Sequence, residues 1–455
     1  MLGTGIGHYI PLVAYLGCWV AIVASLAGRP LWGLYYMLPL LPYRTLRDHF
    51  LEHPLGGNVL TILVLAVIIG ALLQGKRLPK SKIYVIWLIF AVYMYFSMWL
   101  GTALGHAPAP LWISDVNFAT WKDYLLLPMV SVAAGLVVKD RKAVRTVLLI
   151  AGISLLFIDR SALMNSMSRS WGSFDESKRD GGPLGFAGSN GLAAFLAQFS
   201  MFFWGFGQFL KRKKAKLLCY ALVATTIFAT MYTFSRASYI AIVVGALLLG
   251  IFKDRKMIVV VAIFLFTWQA IVPAAVTERV TMTTNANGKL EASAQERVDL
   301  WENAKKQFYS EPIFGIGYAT FQYGQHTDDL KDTHNWFVKV LLETGIVGGI
   351  MALALLQQMV AMSFRLFKRA TDPLYQGLGL GLFLAICCNI ILNCFGDRWT
   401  YIEINGLLWA LVGTAISAQY LIEPEASSAS AAIDPAVEVN PFMTYRPKSL
   451  HEVSH

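Results

Sequence analysis

Twelve apolar runs, each close to the roughly 20 residues that carry a helix across a bilayer, leave this chain few ways to fold. They fall at about residues 9–27, 58–74, 83–103, 122–138, 144–160, 184–209, 217–233, 237–252, 257–275, 336–364, 373–394 and 403–421. A soluble core cannot absorb that much apolar side chain, because single cores stop growing at about 250–300 residues. Of the 455 residues 56% are hydrophobic and 15% charged, against roughly 25% charged in soluble proteins. The expected fold is an all-α, polytopic transmembrane helical bundle of about 12 spans. A thirteenth segment, Leu31 to Pro42, is short and carries prolines. It reads as a tilted span, a re-entrant piece or half of a hairpin with the first run.

The net charge of +10 would point to nucleic acid in a soluble protein, but the positions of the charges remove that reading. Nineteen of the 38 basic residues sit in 34 positions at residues 75–82, 139–145, 210–216, 253–256 and 365–372, which are every second loop. The positive-inside rule makes those loops cytoplasmic. Residues 104–121, 161–182, 276–335 and 395–402 then face outward. The predicted organisation is a membrane bundle over 1–275, an outer loop with amphipathic helices over 276–335, C-terminal membrane helices over 336–421 and a disordered cytoplasmic tail over 422–455. The side of the N-terminus depends on whether the short segment counts as a span.

The five cysteines lie in or beside apolar runs without metal-ligand spacing and read as small core hydrophobes. No Lys or Arg precedes the first run, which reads as a retained span and not a cleavable signal. The two halves show none of the internal repetition common in transporters.

The one substantial polar segment, residues 276–333, holds six Lys or Arg and nine Asp or Glu. Within it Ser293-Ala-Gln-Glu296 has the form of a capping box, so a helix should begin there. Arg297, Trp301, Ala304 and Phe308 then share one face. On that face Arg297 either packs its stem on Trp301 and snorkels or is held toward the membrane to meet an anion. The stretch Pro312-Ile-Phe-Gly-Ile-Gly-Tyr318 to Phe321 has no strand before it, so its Gly-x-Gly reads as a turn returning an aromatic pair to the membrane surface and not as a phosphate loop.

Asp332 or Thr333 is positioned to cap the next helix, which would place His334 in its first turn. The positive end of the helix dipole there disfavours an imidazolium, leaving a neutral histidine able to take a proton; a capping or interfacial histidine is the bland alternative. Lys339 and Glu343, one turn apart in the same run, read as a neutralising pair, although ionisable groups in a membrane are functional suspects. Ser235-Arg236 opens the run at 237–252 with Ser235 as a cap and Arg236 at the outer surface, either an interfacial cation or a grip for phosphate at a helix N-terminus. Asp397-Arg398-Trp399 reads as an internally paired cluster or as the source of a third anion-binding arginine. Trp171, in the glycine-rich loop 169–183, is a glycan contact or a membrane anchor.

In this order Ser235-Arg236-Ala-Ser-Tyr239, Glu296-Arg297-Val-Asp-Leu-Trp301, Pro312-Ile-Phe-Gly-Ile-Gly-Tyr318 and His334-Asn-Trp-Phe-Val-Lys-Val-Leu-Leu-Glu343-Thr-Gly resemble the O-antigen ligase and polymerase superfamily. The ordered match covers roughly residues 230–350, and the multi-span layout extends it over most of the chain. The resemblance implies a GT-C-like glycosyltransferase of the bacterial inner membrane that acts on the periplasmic face in lipopolysaccharide and other cell-envelope polysaccharide synthesis. The donor would be an undecaprenyl-diphosphate-linked glycan and the acceptor lipid A-core, a protein or another lipid-linked glycan. The implied partners are these and membrane lipids, with no nucleic acid, and the family requires no cofactor and no metal. His334 matches the family's acceptor-activating histidine, and Arg236 and Arg297 match its diphosphate-binding arginines. Arg398, Trp301 and Glu343 are expected accessories. A polymerase extending lipid-linked repeats shares these motifs. A secondary transporter or flippase would need related halves and midplane charges, whereas these residues gather on one face.

Overall fold

The structure, a computed structural model, describes residues 6–105, 107–112, 114–167, 171–179, 181–282, 292–324 and 332–432. All the secondary structure among them is helical. The chain opens with a helical hairpin, α1 (Ile10–Leu26) and α2 (Pro30–Leu40), followed by a short α3 (Arg44–Asp48) and by α4 (Val59–Leu73). Prolines open α1 and α2, where the missing N–H would have had no partner in any case. The short proline-bearing segment is therefore the second arm of a hairpin, packed on α1 and α4.

Next come α5 (Lys82–Gly105), α6 (Val116–Val137), α7 (Arg141–Met167), α8 (Gly188–Gly207), α9 (Lys213–Met231) and α10 (Arg236–Phe252). The pair α11 (Lys256–Ile271) and α12 (Ala274–Thr281) turns by 109° at its break, so the run predicted to end at 275 stops four residues early. The polar segment that follows contains α13 (Ala292–Ser310) and one turn, α14 (Thr320–Tyr323). Three long helices close the fold: α15 (Trp336–Arg369), α16 (Pro373–Asn393) and α17 (Ile402–Ala432), the last continuing past the boundary expected at 421. The rest of the predicted tail, residues 433–455, lies outside the described residues.

Every predicted apolar run carries a helix, and the fold is a polytopic helical bundle. Seven helices are long and apolar enough to cross a membrane, and the bent α11–α12 pair would make an eighth. The remainder of the predicted twelve divides in two. Helices α1 and α10 are apolar but have 17 residues each, while α6 and α8 are surrounded by protein and carry buried polar groups such as Asn117, Ser131, Gln198 and Ser200. A helix enclosed by other helices does not need a lipid-facing composition.

The centre of the bundle is α16, packed on α8, α10, α15 and α17. A buried amide network ties it to its neighbours and to the loop that follows. Asn389 donates to Gln198 of α8 at 2.9 Å and to Asn405 of α17 at 2.7 Å. Asn405 in turn donates to the carbonyls of Arg398 and Trp399 at 2.7 and 3.0 Å, and Asn393 accepts the Arg398 N–H at 3.0 Å. Buried polar groups are costly unless paired, so these amides fix the backbone of residues 394–401 against the bundle.

Candidate functional site

The site is built around a broken helix. In α15 the backbone at Gly345 takes φ +64°, a left-handed conformation open to glycine at little cost. The break frees backbone groups on both sides, and residues 312–317 satisfy them. Ile316 and Gly317 N–H donate to the carbonyls of Leu342 and Glu343 at 3.0 Å each, and the N–H groups of Ile346 and Val347 donate to Pro312 and Ile313 at 3.0 and 3.3 Å. From α5, Tyr93 and Ser97 hydroxyls donate to the carbonyls of Thr344 and Glu343 at 2.8 and 3.1 Å. Interrupted helices persist at membrane depth when protein takes over the freed bonds in this way. The Gly-x-Gly turn is thus a brace for α15. Of its aromatics, Tyr318 and Phe321 are buried in the protein and Phe314 is exposed.

Six residues before the break, Lys339 reaches across to the 394–401 loop and meets Asp397 at 2.8 Å, with both side chains buried. This corrects two expectations. Lys339 pairs with Asp397 and not with Glu343, because the amide network presents the Asp397 carboxylate to α15. Arg398, the neighbour of Asp397, donates instead to the carbonyls of Leu392 and Phe395 at 2.7 and 3.5 Å. Glu343 is 1% exposed and accepts the Phe321 N–H at 3.3 Å, which makes it part of the brace.

At the N-terminal end of α15 the cap is Asn335, whose side chain accepts from the N–H groups of Phe337 and Val338 at 3.0 and 3.3 Å. His334 therefore precedes the helix and does not lie in its first turn. It adopts φ +49°, held by Asp332, whose Oδ1 accepts the His334 backbone N–H at 2.7 Å and lies 3.1 Å from Nδ1. In the neutral ring, an Nδ1–H directed at the carboxylate leaves the lone pair on Nε2. The histidine side chain is 42% exposed while Asp332 is 17% exposed, so the ring is open to a substrate and its anchor is covered. Burial alone would raise the Asp332 carboxyl. The hydrogen bond from His334 and the charges of Lys339 and His334 outweigh burial and hold it below the ordinary carboxylate range.

Helix α13 closes one side. It is described over Ala292–Ser310, with Ser293 already helical and so not the cap. Leu300, Ala304 and Phe308 pack on Val338 and Leu342 of α15, in keeping with the predicted apolar face, while Trp301 rides its edge and donates from Nε1 to the Thr333 carbonyl at 2.8 Å. Arg297 lies half-buried near Arg398. Burial, then the Arg297 charge, lower the Arg398 guanidinium to about 10, and Asp332 and Asp397 act in the opposite sense. Two cations and the Asp332–His334 pair thus share one neighbourhood.

Arg236 is held against the end of α12. Ser235 occupies the N-cap of α10 without a side-chain capping bond, and Arg236 donates from Nη1 to the Met282 carbonyl at 2.8 Å. One turn back along α12, Arg279 lies 4.7 Å from the Phe174 ring centre. Arg179 donates to Thr233 O, Glu176 Oε1 and Asn190 Oδ1 at 3.1, 3.0 and 2.8 Å. Burial and the charge of Arg279 lower the Arg179 guanidinium. Trp171, in the same region, packs on Phe228 and Tyr232.

Residues 220–353 match the family model described as O-Antigen ligase. The match supports membership of the O-antigen ligase superfamily. No curated protein matches the chain. The ligase-like segment runs from α9 into the middle of α15, so it contains Arg236, Arg297, His334 and the helix break. It stops short of Asp397 and Arg398. The structure brings Arg297 near Arg398 and holds Arg236 against the Met282 carbonyl at the end of α12, the helix that carries Arg279. Asp332, expected as a cap, instead anchors His334, and an Asp two residues before a His is the signal in the sequence that marks it. Arg279 and the Lys339–Asp397 pair carried no local signal at all.

Proposed function

We propose that the chain transfers a glycan from an undecaprenyl-diphosphate-linked donor to an acceptor hydroxyl at the periplasmic face of the bacterial inner membrane, in a metal-independent, inverting reaction of the O-antigen ligase type. The observation that carries this reading is the Asp332–His334 pair beside Arg297 and Arg398, within a chain whose central segment matches the family. In the reaction His334 Nε2 takes the proton from the acceptor hydroxyl, and the acceptor oxygen forms a bond to the anomeric carbon. The anomeric carbon–oxygen bond to the diphosphate breaks, and its electron pair leaves with that group. Since the leaving group is already an anion, the protein's tasks are charge stabilisation and positioning. Arg297 and Arg236 serve the first task, and His334 the second, with a general-base gain of about 10²–10⁴. Arg279 and Arg179 add positive charge around Arg236.

Purified protein supplied with a lipid-linked glycan alone, and then with a lipid-core or protein acceptor added, tests the reading. Transfer that appears only with the added acceptor is the expected result. Chain growth from donor alone would identify a polymerase, and no product under either condition would remove the glycosyltransferase reading.

A further inference from the structure

Helices α7 and α9 diverge over α8 and leave a groove of about 780 Å³. Its lining is apolar, with Leu148 and Ile153 on one wall, Leu222 on the other and Phe203 and Phe206 as the floor. The groove has a sequence origin. Gly152 offers no side chain to fill the space, where an added Cβ would stand 3.4 Å from the Phe203 ring. Along its rim Leu149 and Leu218 are exposed by 60% and 71%, as expected of side chains turned toward lipid.

Protein interiors are filled at close-packed density, and an apolar groove opening on hydrocarbon gives water no polar partners. Acyl chains are the available filler. One end of the groove adds a second requirement, because Arg141, Arg145, Lys211 and Arg212 line it there. Arg141 is occupied by Asp372, at 2.5 and 3.2 Å, which leaves Arg145, Lys211 and Arg212 to face an incoming ligand. Basic clusters where membrane helices meet the head-group layer attract anionic lipids.

We infer that this groove binds a diacyl phospholipid with an anionic head group, its chains along Leu148, Ile153 and Phe206 and its phosphate among Arg145, Lys211 and Arg212. The site is separate from the transfer chemistry. Its basic end adjoins the first turn of α9, whose 19 residues span roughly 28 Å before the chain reaches Arg236.

The test is native mass spectrometry of the purified full-length protein with phosphatidylglycerol, phosphatidylethanolamine or undecaprenyl phosphate added separately at equal concentration. Wild type should retain phosphatidylglycerol in preference to both others. The triple variant Arg145→Gln, Lys211→Gln, Arg212→Gln should lose retention by about fivefold per basic residue removed. Equal retention of phosphatidylethanolamine, a preference for undecaprenyl phosphate, or unchanged retention of phosphatidylglycerol in the triple variant would each overturn the inference. The lipid comparison on wild type stands whether or not the variant folds.

Discussion

Asp332 holds His334 at two points, accepting its backbone N–H at 2.7 Å and standing 3.1 Å from its Nδ1. The first bond sets the left-handed backbone that turns the ring outward, and the second fixes which ring nitrogen is free. Asp332→Asn would keep a hydrogen-bonding group of the same shape but can present its amide N–H to Nδ1, turning Nε2 into the donor. The expected result is a loss of transfer rate of about 10²–10⁴-fold, by analogy with carboxylate-oriented histidines elsewhere. Donor binding should change little, which a KM measurement beside kcat would show.

The same carboxylate makes a prediction about pH. Its folded-state value is depressed, so it contributes stability that is fully present above the unfolded carboxylate pKa of about 3.9 and is lost as pH falls through the lower folded value. Wild type should exceed Asp332→Asn in Tm at about pH 5, and the margin should shrink below about 4. Thermal unfolding of both proteins in detergent across that range checks the sign.

Lys339 and Asp397 form a buried ion pair that joins α15 to the 394–401 loop. Removing one partner leaves the other charge stranded, so Lys339→Met should cost about 3–5 kcal/mol. The double variant Lys339→Met, Asp397→Leu should recover most of that loss, because an apolar replacement of the whole pair avoids the stranded charge. A double-mutant cycle read from thermal unfolding provides the comparison.

Gly345 is required by conformation and by space. Its φ of +64° would cost an alanine about 1–2 kcal/mol, and the added Cβ would overlap the Ile313 carbonyl. Gly345→Ala should therefore lower Tm and loosen the contact between residues 312–317 and α15, visible as faster amide exchange at Ile316 and Gly317.

The helices were legible because the bilayer imposes a length and an apolar composition on each run, a constraint that needs no tertiary information. The number of spans was less so, since α6 and α8 are shielded by neighbouring helices and their composition reflects that. His334 and Arg297 could be found from local motifs. Asp397 could not, for it reaches Lys339 from 58 positions away, carried there by amides on α16 and α17. Arg279 reaches the Arg236 cluster only because the chain turns sharply between α11 and α12, at Pro273, and a single proline after an apolar run does not announce a bend of that size.

The proposed transfer depends on His334 as the base that activates the acceptor. The direct measurement is single-turnover transfer from an undecaprenyl-diphosphate-linked glycan to an added acceptor, by wild type and by His334→Ala purified in the same detergent and shown to retain the same Tm. A fall of about 10²–10⁴-fold in the transfer step with donor binding intact is the predicted result; transfer by His334→Ala at the wild-type rate would contradict it.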